Sequence, residues 1–250
     1  MIRNGDDGIT FAGVHISDVR LIWIGWVLPL VTIVCSMSVH ALSGNARAMP
    51  FFVSESDYPG LERWIFTSGL AVSGVVICTL SYRLNRRIQN KESGWHRTAS
   101  VAGPLAGLAL SGLAIANIYD ALLLHTFASI MLFGGGFAWG ASMHQLYTFG
   151  TGSGKKLRIK GLWMTAIGLV TMHVSIGGYI FLQREKFDMW GTGIGMLDLL
   201  QPAINIAAPA EYLLIGGLMV VMASIGKDIR ALNDSHPATQ HEPEPSLLTE

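Results

Sequence analysis

Apolar residues fall into six long blocks along this chain, and polar residues gather in the gaps between them. The blocks run from Leu21 to Ala41, Trp64 to Leu84, Thr98 to Tyr119, Ala121 to Tyr147, Ile159 to Phe181 and Ile206 to Ile225. The first, LIWIGWVLPLVTIVCSMSVHA, contains no Asp, Glu, Lys or Arg. Roughly 20 apolar residues, rising 1.5 Å each in a helix, cover the hydrocarbon layer of about 30 Å. A helix also satisfies its own backbone in lipid, whereas a spanning strand alternates apolar and polar positions in shorter segments. The pattern predicts an all-α, polytopic membrane protein with six transmembrane helices.

Composition agrees with a membrane chain. Only 14% of residues are charged, against about 25% in an ordinary soluble domain, and mean hydropathy is +0.43. Net charge is zero, so no overall field argues for nucleic acid. The first apolar run is too long for the core of a cleaved signal peptide and follows a polar stretch, RNGDDG. It reads as an uncleaved anchor. The expected organisation is a cytoplasmic segment over 1–20, a transmembrane domain over 21–226 and a disordered tail over 227–250, rich in Pro and Glu.

Charge sets the expected orientation. Thirteen of the seventeen Lys and Arg residues fall at the ends and in alternate loops, including Arg83, Arg86, Arg87, Lys155, Lys156 and Arg158; only Arg47, Arg63, Arg184 and Lys186 lie opposite. The positive-inside rule then puts both termini in the cytoplasm, with lumenal loops at about 43–63 and 183–205. The basic runs RLNRRIQNK and KKLRIK are explained by topology alone; attraction to anionic or phosphoinositide head groups is the second reading.

Small residues predict how the helices meet. Gly103, Gly107 and Ser111 stand four apart, as do Gly136 and Gly140, giving narrow stripes of the kind that let helix backbones approach in lipid. Packing within the bundle is the first expectation, separating helices 3 and 4 if blocked; a homodimer interface is the second. Cys35 and Cys78 fall at different depths and read as free thiols.

Ionisable residues near membrane depth are costly and need partners. His40, Glu55, Asp57, Asp120, His125 and Glu211 should gather on the lumenal side, while His173 lies deep in helix 5 and is expected to bond a neighbouring helix. The cluster reads first as a structural network and second as acid–base or metal chemistry by Asp120, His125 and Glu211. The chain has no HExxH pair, GxSxG elbow or phosphate loop. No catalytic residue, metal or cofactor is therefore assigned. A channel or carrier lined by His173 is the transport alternative.

The stretch from Met49 to Phe66, MPFFVSESDYPGLERWIF, resembles the first lumenal loop of the DRAM/Frag/Sfk family, the damage-regulated autophagy modulators and their relatives. Pro50, Phe51, Ser54, Glu55, Pro59, Glu62 and Phe66 stand in matching places. Glu55 replaces the usual Asp, and Gly60 replaces the second Pro. Tyr82-Arg83, Asn117, His125, Phe133, Gly136, Gln145, Tyr147 and Ala210-Glu211-Tyr212 extend the similarity over about residues 20–230. The resemblance implies six helices with cytosolic ends. It also implies a non-enzymatic role in autophagy or membrane lipid organisation, in endolysosomal or plasma membranes, with lipids and cytoplasmic proteins as partners. It carries over no catalytic residue.

Overall fold

The computed structural model describes residues 8–88, 92–147, 152–186 and 194–235. Six long helices make up most of it: α1 Asp18–Leu42, α2 Leu61–Arg87, α3 Gly94–Leu113, α4 Leu122–Leu146, α5 Gly152–Leu182 and α6 Ile194–Ser235. Five of them are long and apolar enough to cross a membrane; α3, with 20 residues, falls outside that set. Its first turn is Gly-Trp-His-Arg and its body is mostly Ala, Gly and Ser, which lowers its apolar content without shortening it.

Ahead of α1 stands a hairpin that the apolar pattern did not announce, β1 Ile9–Phe11 and β2 Val14–Ile16. The strands are antiparallel, with Ile9 opposite Ile16. Ala12 and Gly13 take φ of 47° and 79°, the positive pair that a tight hairpin turn requires. Ser17 then caps α1, its Oγ accepting the Arg20 N–H.

Four helices outrun their predicted lengths, α5 and α6 by the most. Helix α5 begins at Gly152 rather than near Ile159, taking Lys155, Lys156, Arg158 and Lys160 into its first turns. Helix α6 begins at Ile194, inside the expected loop 183–205, and runs to Ser235, past the expected domain boundary at 226. Asp198, Pro202 and Pro209 interrupt its apolar run, yet Leu197, Leu200 and Ile204 keep a helical period. They pack with Ala207 and Ala208 against Phe52 and Ile118 and against Met172, Ile176 and Tyr179 of α5. Residues 236–250, including most of the expected tail, lie outside the described residues.

Neighbours in sequence pack together, α1 on α2, α2 on α3 and α3 on α4, while α5 packs mainly on α6, which also meets α1. The outward faces are apolar. Trp64 is 76% exposed, Val101 67% and Trp163 66%, a surface suited to acyl chains rather than water. Cys35 and Cys78 are both free.

The glycines form seams within the chain, but with other partners than expected. A Cβ on Gly107 would lie 2.7 Å from the Gly74 carbonyl oxygen and 2.8 Å from Cys78 N, both on α2. One on Gly103 would strike Ser81 of α2 and Trp139 of α4. It is Gly135, not Gly136, that approaches α3. Gly136 faces Leu218 of α6 at 3.3 Å, and Gly140 faces Val221 at 3.0 Å. One close approach between α5 and α6 is reciprocal: a Cβ on Gly161 would sit 2.8 Å from Gly217 O, and one on Gly217 would sit 2.7 Å from Gly161 O.

Gly107→Leu and Gly161→Leu should therefore destabilise the protein by about 3 kcal/mol, since backbone cannot yield as a side chain can. Gly136→Leu should cost less, because its neighbour is the flexible end of Leu218. Val101→Ala on the outer face should change stability by less than about 0.5 kcal/mol. Thermal unfolding in detergent measures all four; equal small shifts would refute the seams.

Candidate functional site

The segment between α1 and α2 turns inward. Helix α1 ends where Ser43 N–H bonds Val39 O, and Gly44 follows with φ of 77°. The chain then runs to a single turn, Val53–Ser56. Phe51, Glu55, Ser56 and Asp57 are each no more than 2% exposed. Buried backbone must find partners, and here side chains supply them. Glu55 Oε1 accepts the Phe52 N–H at 2.9 Å, and Glu211 Oε2 accepts the Val53 N–H at 2.8 Å. Gln201 donates to Pro50 O at 3.1 Å, Tyr119 to Glu55 O at 2.8 Å, and Tyr212 to Phe51 O. Arg63 donates to Asp57 O, and Ser36 to Ser56 O at 3.2 Å.

Charge is paired around the same turn. Arg47 Nε lies 2.9 Å from Glu55 Oε2 and its guanidinium also reaches Asp198 and Gln201. Arg63 Nε lies 3.4 Å from Asp57 Oδ1. His40 packs between Phe51 and Tyr58 and sits 3.5 Å from Glu62, which also accepts from Asn45 at 2.7 Å. Burial pushes the Glu55 carboxyl up, with Arg47 opposing it. Burial raises Asp57 to about 7, against the pull of Arg63 and with the push of Asp120.

Of the residues singled out from the sequence, Pro50, Phe51, Ser54, Glu55, Asp57, Glu62 and Glu211 meet at this end, with His40 beside them. Pro59 is exposed. His125 is buried in the first turn of α4, its Nδ1 2.8 Å from Ala116 O, which ties α4 to the end of α3. Asp120 is exposed at the edge of this group, near enough to Asp57 to raise it, and accepts from Asn117 at 2.8 Å. Among the described residues no hydrogen bond or ion pair joins Asp120, His125 and Glu211; the last two line one cavity and Asp120 lies outside its lining. Among the described residues no three His, Cys, Asp or Glu side chains gather in a metal-binding group. The sequence pattern assigns Arg47, Gln201, Tyr119 and Tyr212 no contact with this loop, because their role depends on how the loop folds.

Under this roof lies a cavity of about 80 Å³ between α1, α2, α3, α4 and α6. Its walls are apolar, from Leu110 and Leu132 down to Met222, except for Ser54, His125, Ser129 and Glu211. His173 is not part of it; it is exposed on α5 and bonds Leu169 O of its own helix at 2.8 Å. Among the described residues no hydrogen bond joins His173 to a neighbouring helix.

The opposite, basic end holds a second buried polar group. Asp18, fully buried, meets Arg83 Nε at 3.1 Å and Arg87 Nε at 2.6 Å. Arg158, also fully buried, meets Asp228 at 2.8 Å and donates to Tyr147 O. An added Cβ on Gly154 would overlap the Asp228 carboxylate. Three of the six residues expected to face head groups, Arg83, Arg87 and Arg158, are thus engaged inside the protein. Arg86, Lys155 and Lys156 remain exposed.

Comparison with protein-family models, with curated proteins and with solved structures finds no match for this chain.

Two expected outcomes test this geometry. Asp57 holds its proton to about pH 7 when folded and only to 3.8 when not. Its raised value favours the docked loop at low pH, and that contribution is lost as pH rises from about 4 to 7. Loop protection, read by hydrogen exchange of the amides over 52–57, should fall between about pH 4 and 7, and Asp57→Asn should flatten the slope. Second, Glu55 and Glu211 hold adjacent amides of one loop, whereas His125 holds Ala116. Glu55→Ala with Glu211→Ala should be less than additive in unfolding free energy, while His125→Ala with Glu211→Ala should add within about 0.5 kcal/mol.

Proposed function

We propose that this is a six-pass membrane protein of the DRAM/Frag/Sfk kind that organises lipid in its membrane, and through it acts on autophagy, without catalysing a reaction. The observation that carries this reading is the roofed apolar cavity. It lies among helices of which all but α3 are long and apolar enough to cross a membrane, and the acids at or near its mouth bond the roof. Glu211 accepts from Val53 N–H and Glu55 from Phe52 N–H, which suits a structural network better than a general acid or base. Asp120 lies outside the cavity lining, which weighs against the hydrolase or transferase alternative. His173 on the outer face of α5 weighs against a path through the bundle.

In this reading α3 is the sixth span. It is packed between α2 and α4 and turns Val101, Leu105 and Leu108 outward. Both termini are cytoplasmic, because the α1 start and the α6 end share the basic end with Arg83, Arg87 and Arg158. An endolysosomal or plasma membrane, anionic head groups at Arg86, Lys155 and Lys156, and cytoplasmic protein partners belong to the same proposal.

The reading makes a two-part prediction. Asn233, within the sequence Asn-Asp-Ser, should carry no glycan when expressed in a eukaryotic host; a glycan there overturns the orientation. Native mass spectrometry from nanodiscs should show a lipid retained by the wild type and lost in Leu110→Trp, which fills the cavity. Equal retention by both proteins would remove the cavity from the argument.

A further inference from the structure

The buried acids of this protein nearly all sit beside a basic group. Asp18 has Arg83 and Arg87, Asp228 has Arg158, Glu55 has Arg47, Asp57 has Arg63 and Glu62 has His40. Glu211 is the exception. It is 7% exposed, and among the described residues no Lys, Arg or His lies within ion-pair reach of it. Its Oε2 takes the Val53 N–H; no second protein donor is found for Oε1 among the described residues. A carboxylate in an apolar place without a counter-charge is expensive, so the missing cation calls for an explanation.

The same cavity contains a second acceptor. Ala116 O can only accept, so His125 Nδ1 carries the proton of that 2.8 Å bond. In its neutral form the ring then presents Nε2 as a lone-pair acceptor, with no protein donor for it among the described residues. His125 and Glu211 both line the cavity, with Ser54 and Ser129 beside them. Below them the lining is apolar as far as Met222, eleven residues beyond Glu211, a depth of about 16 Å along the helix. Met219 and Met222 give that lower part adaptable walls.

A ligand fitting these features is amphiphilic. Its head donates hydrogen bonds and carries positive charge, and its body is a flexible chain. We propose that the cavity binds a single-chain lipid amine, its ammonium group on Glu211 and His125 and its chain along the apolar walls. The chemistry disfavours a fatty acid, whose carboxylate would face an ionised Glu211. It disfavours a fatty alcohol, which donates one hydrogen bond and brings no charge. The proposal rests on the reading that the cavity takes a lipid chain, and adds the identity of the head group.

The test uses the full chain in nanodiscs of zwitterionic phospholipid, with empty nanodiscs subtracted. Radiolabelled dodecylamine should bind saturably. Dodecanol should compete at least tenfold more weakly, and dodecanoate and dodecane should not compete. Glu211→Gln keeps an oxygen for Val53 N–H and removes the charge; it should weaken amine binding at least tenfold while its unfolding midpoint stays near that of the wild type. His125→Phe should weaken it several-fold. Dodecanol or dodecanoate competing as well as the amine would overturn the proposal, as would amine binding unchanged by Glu211→Gln. Should that variant not fold, the ranking of the four probes on the wild type decides. Equal saturable binding of all probes sinks the amine and leaves the lipid-chain reading intact; no saturable binding of any probe sinks both.

Discussion

A loop folded into the end of a helix bundle takes its own amides and carbonyls out of water, and each must be matched. Helices satisfy themselves; the stretch from Pro50 to Asp57 cannot. Its partners come from four other places in the chain: Ser36 on α1, Arg63 on α2, Tyr119 in the turn before α4, and Gln201, Glu211 and Tyr212 on α6. No short-range interaction could assemble that set. The loop therefore docks only when the helices are already in place, and once docked it ties α6 to the α1–α4 group. Packing between these parts is otherwise modest in lipid, where apolar contact with a helix is no better than apolar contact with a tail. The roof is thus a fastening as well as a lid.

The basic end solves a related problem with ion pairs. Asp18 from α1 meets Arg83 and Arg87 from α2, and Arg158 from α5 meets Asp228 from α6. Each pair joins antiparallel neighbours near their cytoplasmic ends on the proposed topology. Removing one partner leaves a buried charge uncompensated, which costs far more than the pair gains. Such pairs discriminate between registers: a helix slipped by one turn, about 5.4 Å, would strand both charges. The Gly161–Gly217 contact reinforces the same register on α5 and α6, since only one alignment puts both glycines opposite a backbone.

The helices were legible because membrane depth imposes a length on apolar runs. Predicted α4, 121–147, differs from the observed Leu122–Leu146 by one residue at each end. The largest failures came where the run carries charge or proline; α3, expected to reach Tyr119, also stops short, at Leu113. Asp198, Pro202 and Pro209 hid the first turns of α6, and the basic residues of 155–160 hid the start of α5. The small-residue stripes were visible, but which helix each one meets depends on rotation about the axis, which spacing does not set. Hence Gly136 was assigned to α3 and belongs against α6. At the site, the loop and Glu211 stood out by residue type. Asp18 and Asp228 did not, because they sit outside the apolar windows and the positive-inside rule already accounted for the arginines around them. The cavity was invisible, since it is a property of how five helices fail to fill the space between them.

Roof and cavity share one side chain, and that has an energetic consequence under the proposed ligand. Glu211 faces the loop through Oε2 and the cavity through the rest of its carboxyl group. A cation in the cavity holds that group ionised, and an ionised oxygen accepts the Val53 N–H more strongly than a neutral one. Occupancy then stabilises the docked loop. By linkage the docked loop favours the occupant to the same degree. An empty cavity leaves the carboxyl group in apolar surroundings without its counter-charge, so the roof is held least firmly when nothing is bound. Entry at the loop end would thus be easiest for the empty protein, and closure would follow from binding without any further moving part.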